Sequence, residues 1–285
     1  TIFYNFFITA EKPSYSLRMS LISGVINIVF DYLFIGVMHY GVAGAAVATA
    51  MGEYVGGLVP LIYFARKNNS SRLRLVKPVW RKDILLKTCL NGSSEFMTNA
   101  SSSVVNMLYN TQLMRLAGAD GVAAYGVIMY ANFIFAAIYL GYSMGSAPIT
   151  SYNYGAGNHS ELKNMLKKSL SLIAVTGVCL TLISEFFAHP LISIFAGYDA
   201  DLFAMTLHGF RLYAFVFLIN GFNIWASSFF TALNNGVVSG MIAFLRTLLF
   251  QIGCIMLLPI LLGLNGIWMG VVVAEMLSLI VSIYF

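Results

Sequence analysis

The chain has 285 residues, 59% of them hydrophobic and 9% charged, with a mean hydropathy of +0.81, a balance that excludes an ordinary soluble domain and points to a polytopic membrane protein. Its apolar runs are continuous and about 20 or more residues long, so the spans are helices rather than barrel strands. The net charge of +5 does not argue for nucleic acid, because seven of the sixteen Lys and Arg residues (Arg66, Lys67, Arg72, Arg74, Lys77, Arg81 and Lys82) crowd into one loop, which is a topology signal.

Residues 1–10 read as the tail of a helix, ended by Glu11, Lys12 and Pro13. The chain opens inside this apolar run with neither an initiator methionine nor a signal peptide, and reads as a piece cut within a helix. Eight spans follow: A over 14–37, B over 41–64, C over 84–116, D over 122–151, E over 160–187, F over 202–233, G over 237–262 and H over 266–285. Gly118, Asp120 and Gly121 mark the turn between C and D, and a short amphipathic piece over 190–195 follows E. Alternating sides collects Lys12, the basic cluster, Lys163, Lys167 and Lys168 on one face, opposite loops carrying Asp120, Asp199 and Asp201. The positive-inside rule makes the first face cytoplasmic, including loop 67–82. The N-x-S/T matches at Asn68 and Asn158 fall on that side and carry no meaning for glycosylation. Cys89, Cys179 and Cys254 are odd in number, widely spaced and inside apolar runs, which suits core packing rather than disulfides or a metal.

An internal repeat sets the organisation. Gly41, Gly44 and Glu53 recur as Gly263, Gly266 and Glu275 at an offset of 222, and the same offset pairs Phe7, Thr9 and Ala10 with Phe229, Thr231 and Ala232. Such a duplication gives six spans per unit, with parallel repeats as in transporters. By this arithmetic three whole spans and most of a fourth precede Thr1. The expected fold is an all-α membrane protein, a helical bundle of two pseudo-symmetric six-helix lobes with the first incomplete in this chain. Residues 1–66 end the first lobe, 67–82 link the lobes and 83–285 form the second.

The polar residues inside spans carry the chemistry. Asn27 and Asp31 are four apart on span A, hence on one helix face. Asp31 and Thr49 lie about seven and eight residues from the turn between A and B, or roughly 10 to 12 Å deep at 1.5 Å per residue, so the three can meet. An aspartate at the centre of a membrane helix costs about 2.5–3.5 kcal/mol on insertion scales and needs a partner. A carboxylate, an amide carbonyl and a hydroxyl are hard oxygen donors suited to sodium, and a proton would compete for the same carboxylate; the alternative is a structural bond fastening A to B. The repeat maps Asn27, Asp31 and Thr49 onto Leu249, Gly253 and Val271, so only the first unit carries this group.

Glu95 and Asn99, four apart in the polar run GSSEFMTNASSS, either line a cavity or mark close helix packing. Glu53 and Glu275 read as framework residues, and Arg211 and Arg246 as snorkelling ones. Tyr109, Tyr125, Tyr130 and Tyr139 on C and D are candidates for a wall that takes flat organic cations, against the commoner role of packing. NYGAG (153–157) lacks both the GK[ST] ending of a phosphate loop and the strand that precedes one, and reads as a turn. The histidines are scattered, and neither a Ser-His-Asp nor a paired-carboxylate arrangement is legible, so the reading is not of an enzyme.

Four segments, PITSYNYGAGN at 148–158, NIVFDYLFI at 27–35, GVAGAAVATAMGE at 41–53 and LGLNGIWMGVVVAE at 262–275, resemble the multidrug and toxic compound extrusion (MATE) family. The resemblance implies a twelve-helix exporter of two six-helix lobes that exchanges sodium or a proton for an organic, often cationic, drug. Some members hold the cation with an Asn and an Asp four apart on the fifth helix and a Thr on the sixth, which Asn27, Asp31 and Thr49 match; the remaining acidic ligand of that site is on the first helix, outside this chain. Others use acidic residues on the seventh and tenth helices, where this chain has Asn99 (with Glu95 one turn earlier) and Asn223, a departure that argues against a site of that type. Asn223 joins Glu95 and Asn99 as a candidate cavity residue. The reading implies a monomer in the inner or plasma membrane with a drug-like substrate, membrane lipid around it, no nucleic acid, no cofactor beyond the coupling ion, and no metal other than sodium. The rivals are a lipid-linked precursor flippase of the same superfamily, which should show a more cationic cavity, and a non-transporting scaffold or membrane enzyme.

Overall fold

The computed structural model describes residues 2–66, 73–77 and 79–285. Among them every regular element is helical: α1 (Ile2–Thr9), α2 (Pro13–Asp31) running into a π-helical turn (Tyr32–Val37), α3 (Gly41–Ala65), α4 (Lys82–Asn91), α5 (Ser93–Gly155), α6 (His159–Ala196), α7 (Ala200–Ala214), a 3-10 turn (Phe215–Leu218), α8 (Asn220–Ala232), α9 (Gly236–Phe244), a second π turn (Leu245–Phe250), α10 (Gln251–Leu262) and α11 (Leu264–Tyr284). The chain divides into two compact units, Thr1–Arg81 and Lys82–Phe285. Lys67, Asn68 and Arg72 of the basic loop lie outside the described residues.

Among the described residues seven continuous helical stretches are long and apolar enough to cross a membrane, and one of them is two spans in a row. A straight helix of the 63 residues of α5 would be about 95 Å long, some three times a bilayer core. Gly118, at φ 66° and ψ −152°, breaks it with a conformation that only glycine adopts without strain. Eight spans and the short α1 result, as the sequence predicts. This is a multi-pass membrane protein, and its outward apolar side chains, such as Ile28 at 68% and Leu261 at 78% exposed, suit contact with lipid.

In the first unit, α3 buries Gly44, Ala48, Gly52, Gly56, Pro60 and Phe64. These lie every fourth residue, a stripe of mostly small side chains that lets α2 approach closely; Ser23 Oγ donates to Gly52 O at 2.7 Å across the contact. Phe7 of α1 is buried among Tyr15, Tyr63 and Phe64. In the second unit the core gathers Tyr109, Leu113, Ile128, Phe210, Phe217, Ile255 and Trp268. Gly41 and Gly263, which the repeat equates, both take positive φ (56° and 57°), the first as the opening residue of α3 and the second immediately before α11. The π turns, by contrast, fall at positions that the offset of 222 does not equate.

Three spans and two cysteines differ from the sequence reading. Span C is interrupted at Gly92, where α4 ends and Asn91 Nδ2 donates to Thr231 O at 3.2 Å. Span E and the piece over 190–195 are one helix, because Pro190 forfeits a single backbone bond while Ala188, Ile192 and Ala196 keep the same face buried. Span F is broken by the 3-10 turn, and Tyr139 Oη donates to Phe217 O at 2.6 Å. Of the cysteines only Cys254 is buried; Cys89 and Cys179 are exposed. The NYGAG segment ends α5 and turns at Gly157 (φ 69°), after which Asn158 caps α6 by accepting from the Glu161 backbone N–H.

Close packing of the second unit is testable at two glycines. A Cβ on Gly209 would lie 2.8 Å from the buried Trp268 ring, whereas one on Gly126 meets nothing within 4 Å. Gly209→Ala should cost about 1–3 kcal/mol through overpacking, while Gly126→Ala should be neutral or stabilising by up to about 1 kcal/mol, as read by thermal unfolding in detergent.

Candidate functional site

Asp31 is the last residue of α2 before the π turn, a helical irregularity frequent at functional sites. One turn earlier, Asn27 Nδ2 donates to Thr49 Oγ1 of α3 at 3.4 Å. Thr49 spends its own proton on Ala45 O at 3.0 Å, so its oxygen presents lone pairs towards α2. Asp31 Oδ1 is buried and has no hydrogen-bond partner among the described residues. The structure thus brings Asn27 and Thr49 together and leaves the nearby carboxylate with a free acceptor, although a buried acceptor normally finds a donor. Glu53, one turn beyond Thr49 on α3, is exposed.

The other sequence candidates scatter. Glu95 and Asn99 are both exposed, and Asn99 Nδ2 donates to the Glu95 backbone carbonyl at 2.8 Å instead of to its carboxylate. The tyrosines do not form one wall. Tyr109 and Tyr125 are buried and stacked at 4.8 Å, with Tyr125 Oη donating to Asn106 Oδ1 at 2.9 Å. Tyr139 is buried in its bond to Phe217, whereas Tyr130 is 66% exposed beside Phe195. Asn106 instead opens on a shallow groove of about 760 Å³ along one face of α5, lined by Ser103, Met107, Asn110, Thr111, Met114 and Arg115.

Asn223 is fully buried rather than facing a cavity, and it belongs to a network that the sequence reading missed. Arg246, on the second π turn, does not snorkel. Its Nε donates to Glu275 Oε1 and Oε2 at 2.8 and 3.0 Å, and its Nη2 to Asn220 Oδ1 at 3.1 Å. Asn223 Nδ2 donates to Glu275 Oε2 at 2.7 Å and to Glu275 O at 2.9 Å, while Ser282 Oγ donates to Asn223 Oδ1 at 3.0 Å. The Arg246 and Glu275 side chains are 13% and 2% exposed. The available signal was the pair of opposite charges in mid-span on consecutive helices. Glu53 and Glu275, equated by the repeat, therefore differ, one exposed and the other fully paired.

Residues 96–256, more than half of the chain, match the MatE family model. The chain belongs to the MatE family. The multidrug export protein MepA of Staphylococcus saprophyticus is 27% identical over 266 residues, covering 92% of this chain and 57% of its own length. MepA of Staphylococcus haemolyticus is 27% identical over 267 residues, with 93% and 58% covered. This MatE chain thus spans less than two thirds of these relatives. A crystal structure of a MATE protein in complex with MaL6 superposes with a TM-score of 0.90 at 21% identity, covering 99% of this chain and 64% of that one, a likeness of fold.

Two ion pairs of this MatE protein should respond very differently to mutation. Glu275→Gln strands the Arg246 charge in the core and should cost about 3–5 kcal/mol. Arg211 approaches Glu185 only to 3.9 Å with side chains 55% and 34% exposed, so Arg211→Ala should cost about 0–1 kcal/mol. Denaturant titration of the two variants in one detergent reads the difference.

Proposed function

We propose that the protein is a secondary-active multidrug exporter that exchanges a small cation, sodium or a proton, for a drug-like organic compound. The observation that carries this reading is the partnerless buried Oδ1 of Asp31 beside the Asn27–Thr49 pair. Thr49 Oγ1 and the Asp31 carboxylate supply the hard oxygens a small cation takes, and Asn27 adds its amide oxygen. The names of the relatives as multidrug export proteins support the cargo class. The groove on α5 supports a surface for that cargo: its amides and hydroxyls fix orientation, Met107 and Met114 adapt to varied apolar shapes, and its single cation, Arg115, gives little to hold a phosphate-rich lipid.

Ion binding at Asp31 can drive transport only by favouring one conformation over another. No cofactor beyond that ion enters the scheme. Asp31→Asn should reduce ion-driven efflux of a cationic dye from loaded cells to the level of cells lacking the protein. Asn27→Ala and Thr49→Val should each raise the ion concentration needed by about tenfold, the equivalent of one lost contact of some 1.4 kcal/mol. Wild-type ion-coupled efflux in Asp31→Asn contradicts the proposal.

A further inference from the structure

The buried Arg246 network has the composition of an ion site. Glu275 Oε1, Glu275 Oε2 and Asn220 Oδ1 converge on one guanidinium at 2.8, 3.0 and 3.1 Å. Asn223, itself held by Ser282, aims the carboxylate by donating to it at 2.7 Å. Asn220, Asn223 and Glu275 are 5%, 0% and 1% exposed. Three oxygens, one of them from an amide, form a hard donor set for a small cation.

The backbone departs from α geometry on both sides of the cluster. Asn220 opens α8 directly after the 3-10 turn and Ile219, and Arg246 lies within the π turn. Such irregularities cluster at functional positions. Stability alone does not account for a buried ion pair, since apolar replacements of similar volume are often as stable.

We propose that Glu275 and Asn220 form a cation site that the Arg246 guanidinium permanently fills, so that the second unit carries its own non-exchanging cation and takes no coupling ion. Arginine keeps its proton throughout the physiological range and is tethered to the chain, so nothing at this site can be released. Only the functional consequence, that ion exchange is left to the Asp31 group, rests on the exporter reading. Occupancy of the site is tested without it.

The test places every variant in an Asp31→Asn background and follows thermal unfolding of the purified full chain in sodium, guanidinium or choline chloride at matched millimolar concentrations. The parent should respond to none of the three beyond ionic strength. Arg246→Ala opens the site, and its melting temperature should rise by at least 5 °C in sodium or guanidinium relative to choline. Glu275→Gln added to Arg246→Ala removes the acceptor together with its cation; that protein should fold and lose the response. If Arg246→Ala folds only when sodium or guanidinium is present, the proposal is supported. It is overturned if Arg246→Ala ignores both ions, fails to fold in either of them, or keeps its response after Glu275→Gln. A sodium response in the parent that Glu275→Gln removes also overturns it, because the site would then take an ion with Arg246 in place.

Discussion

In the middle of a bilayer there is no water to complete a hydrogen bond, so each polar group on a membrane helix must find its partner within the protein. The Glu275 carboxylate shows this constraint met in full: each oxygen has a guanidinium donor, the Asn223 amide is a further donor that fixes its orientation, and that amide is itself held by a hydroxyl. Asp31 shows it left unmet at one oxygen. The two acids differ in supply rather than in kind. One has a donor set built from its own unit, and the other has an oxygen without a donor among the described residues, one turn from the Asn27–Thr49 contact. That difference is the ground for assigning exchange to one and permanence to the other.

Helical irregularity and polar chemistry coincide in this chain. The π turns follow Asp31 and contain Arg246, and the 3-10 turn precedes Asn220. A residue inserted into or removed from a helical turn rotates everything beyond it, so these turns set which face the polar side chains present. The broken span is supported from outside: Tyr139 donates to Phe217 O, and Gly177 leaves room for the same carbonyl, which a Cβ there would meet at 3.0 Å. Glycine in the one helix and tyrosine in the other thus support the break that positions Asn220.

Much of the fold is legible in the sequence because membrane spans are long, apolar and punctuated. The eight spans and the turn at Gly118 follow from length and residue type. Interruptions inside spans are harder to place: in the run 202–233 the dipeptide Asn220-Gly221 is the one local sign of a break, and the Tyr139 hydroxyl that meets the Phe217 carbonyl comes from another helix. The Asn27–Thr49 contact is readable, as both residues sit at similar depth on one hairpin. Arg246 is ambiguous in the sequence, because its long stem lets it reach either the membrane surface or the core, and only the position of Glu275 decides. Tyr109, Tyr125 and Tyr139 misled for a related reason: an aromatic spaced for a cavity wall is equally well spaced for packing, and burial alone separates the two.

The contrast between the two carboxylates is most directly measured by the infrared difference spectrum of the protein in lipid with and without sodium, or across a pH step, using isotopically labelled aspartate or glutamate. The expected result is a carboxyl band change that shifts with labelled aspartate, disappears in Asp31→Asn and does not shift with labelled glutamate. A change that follows the glutamate label, or one that survives in Asp31→Asn, would contradict the assignment of ion exchange to Asp31.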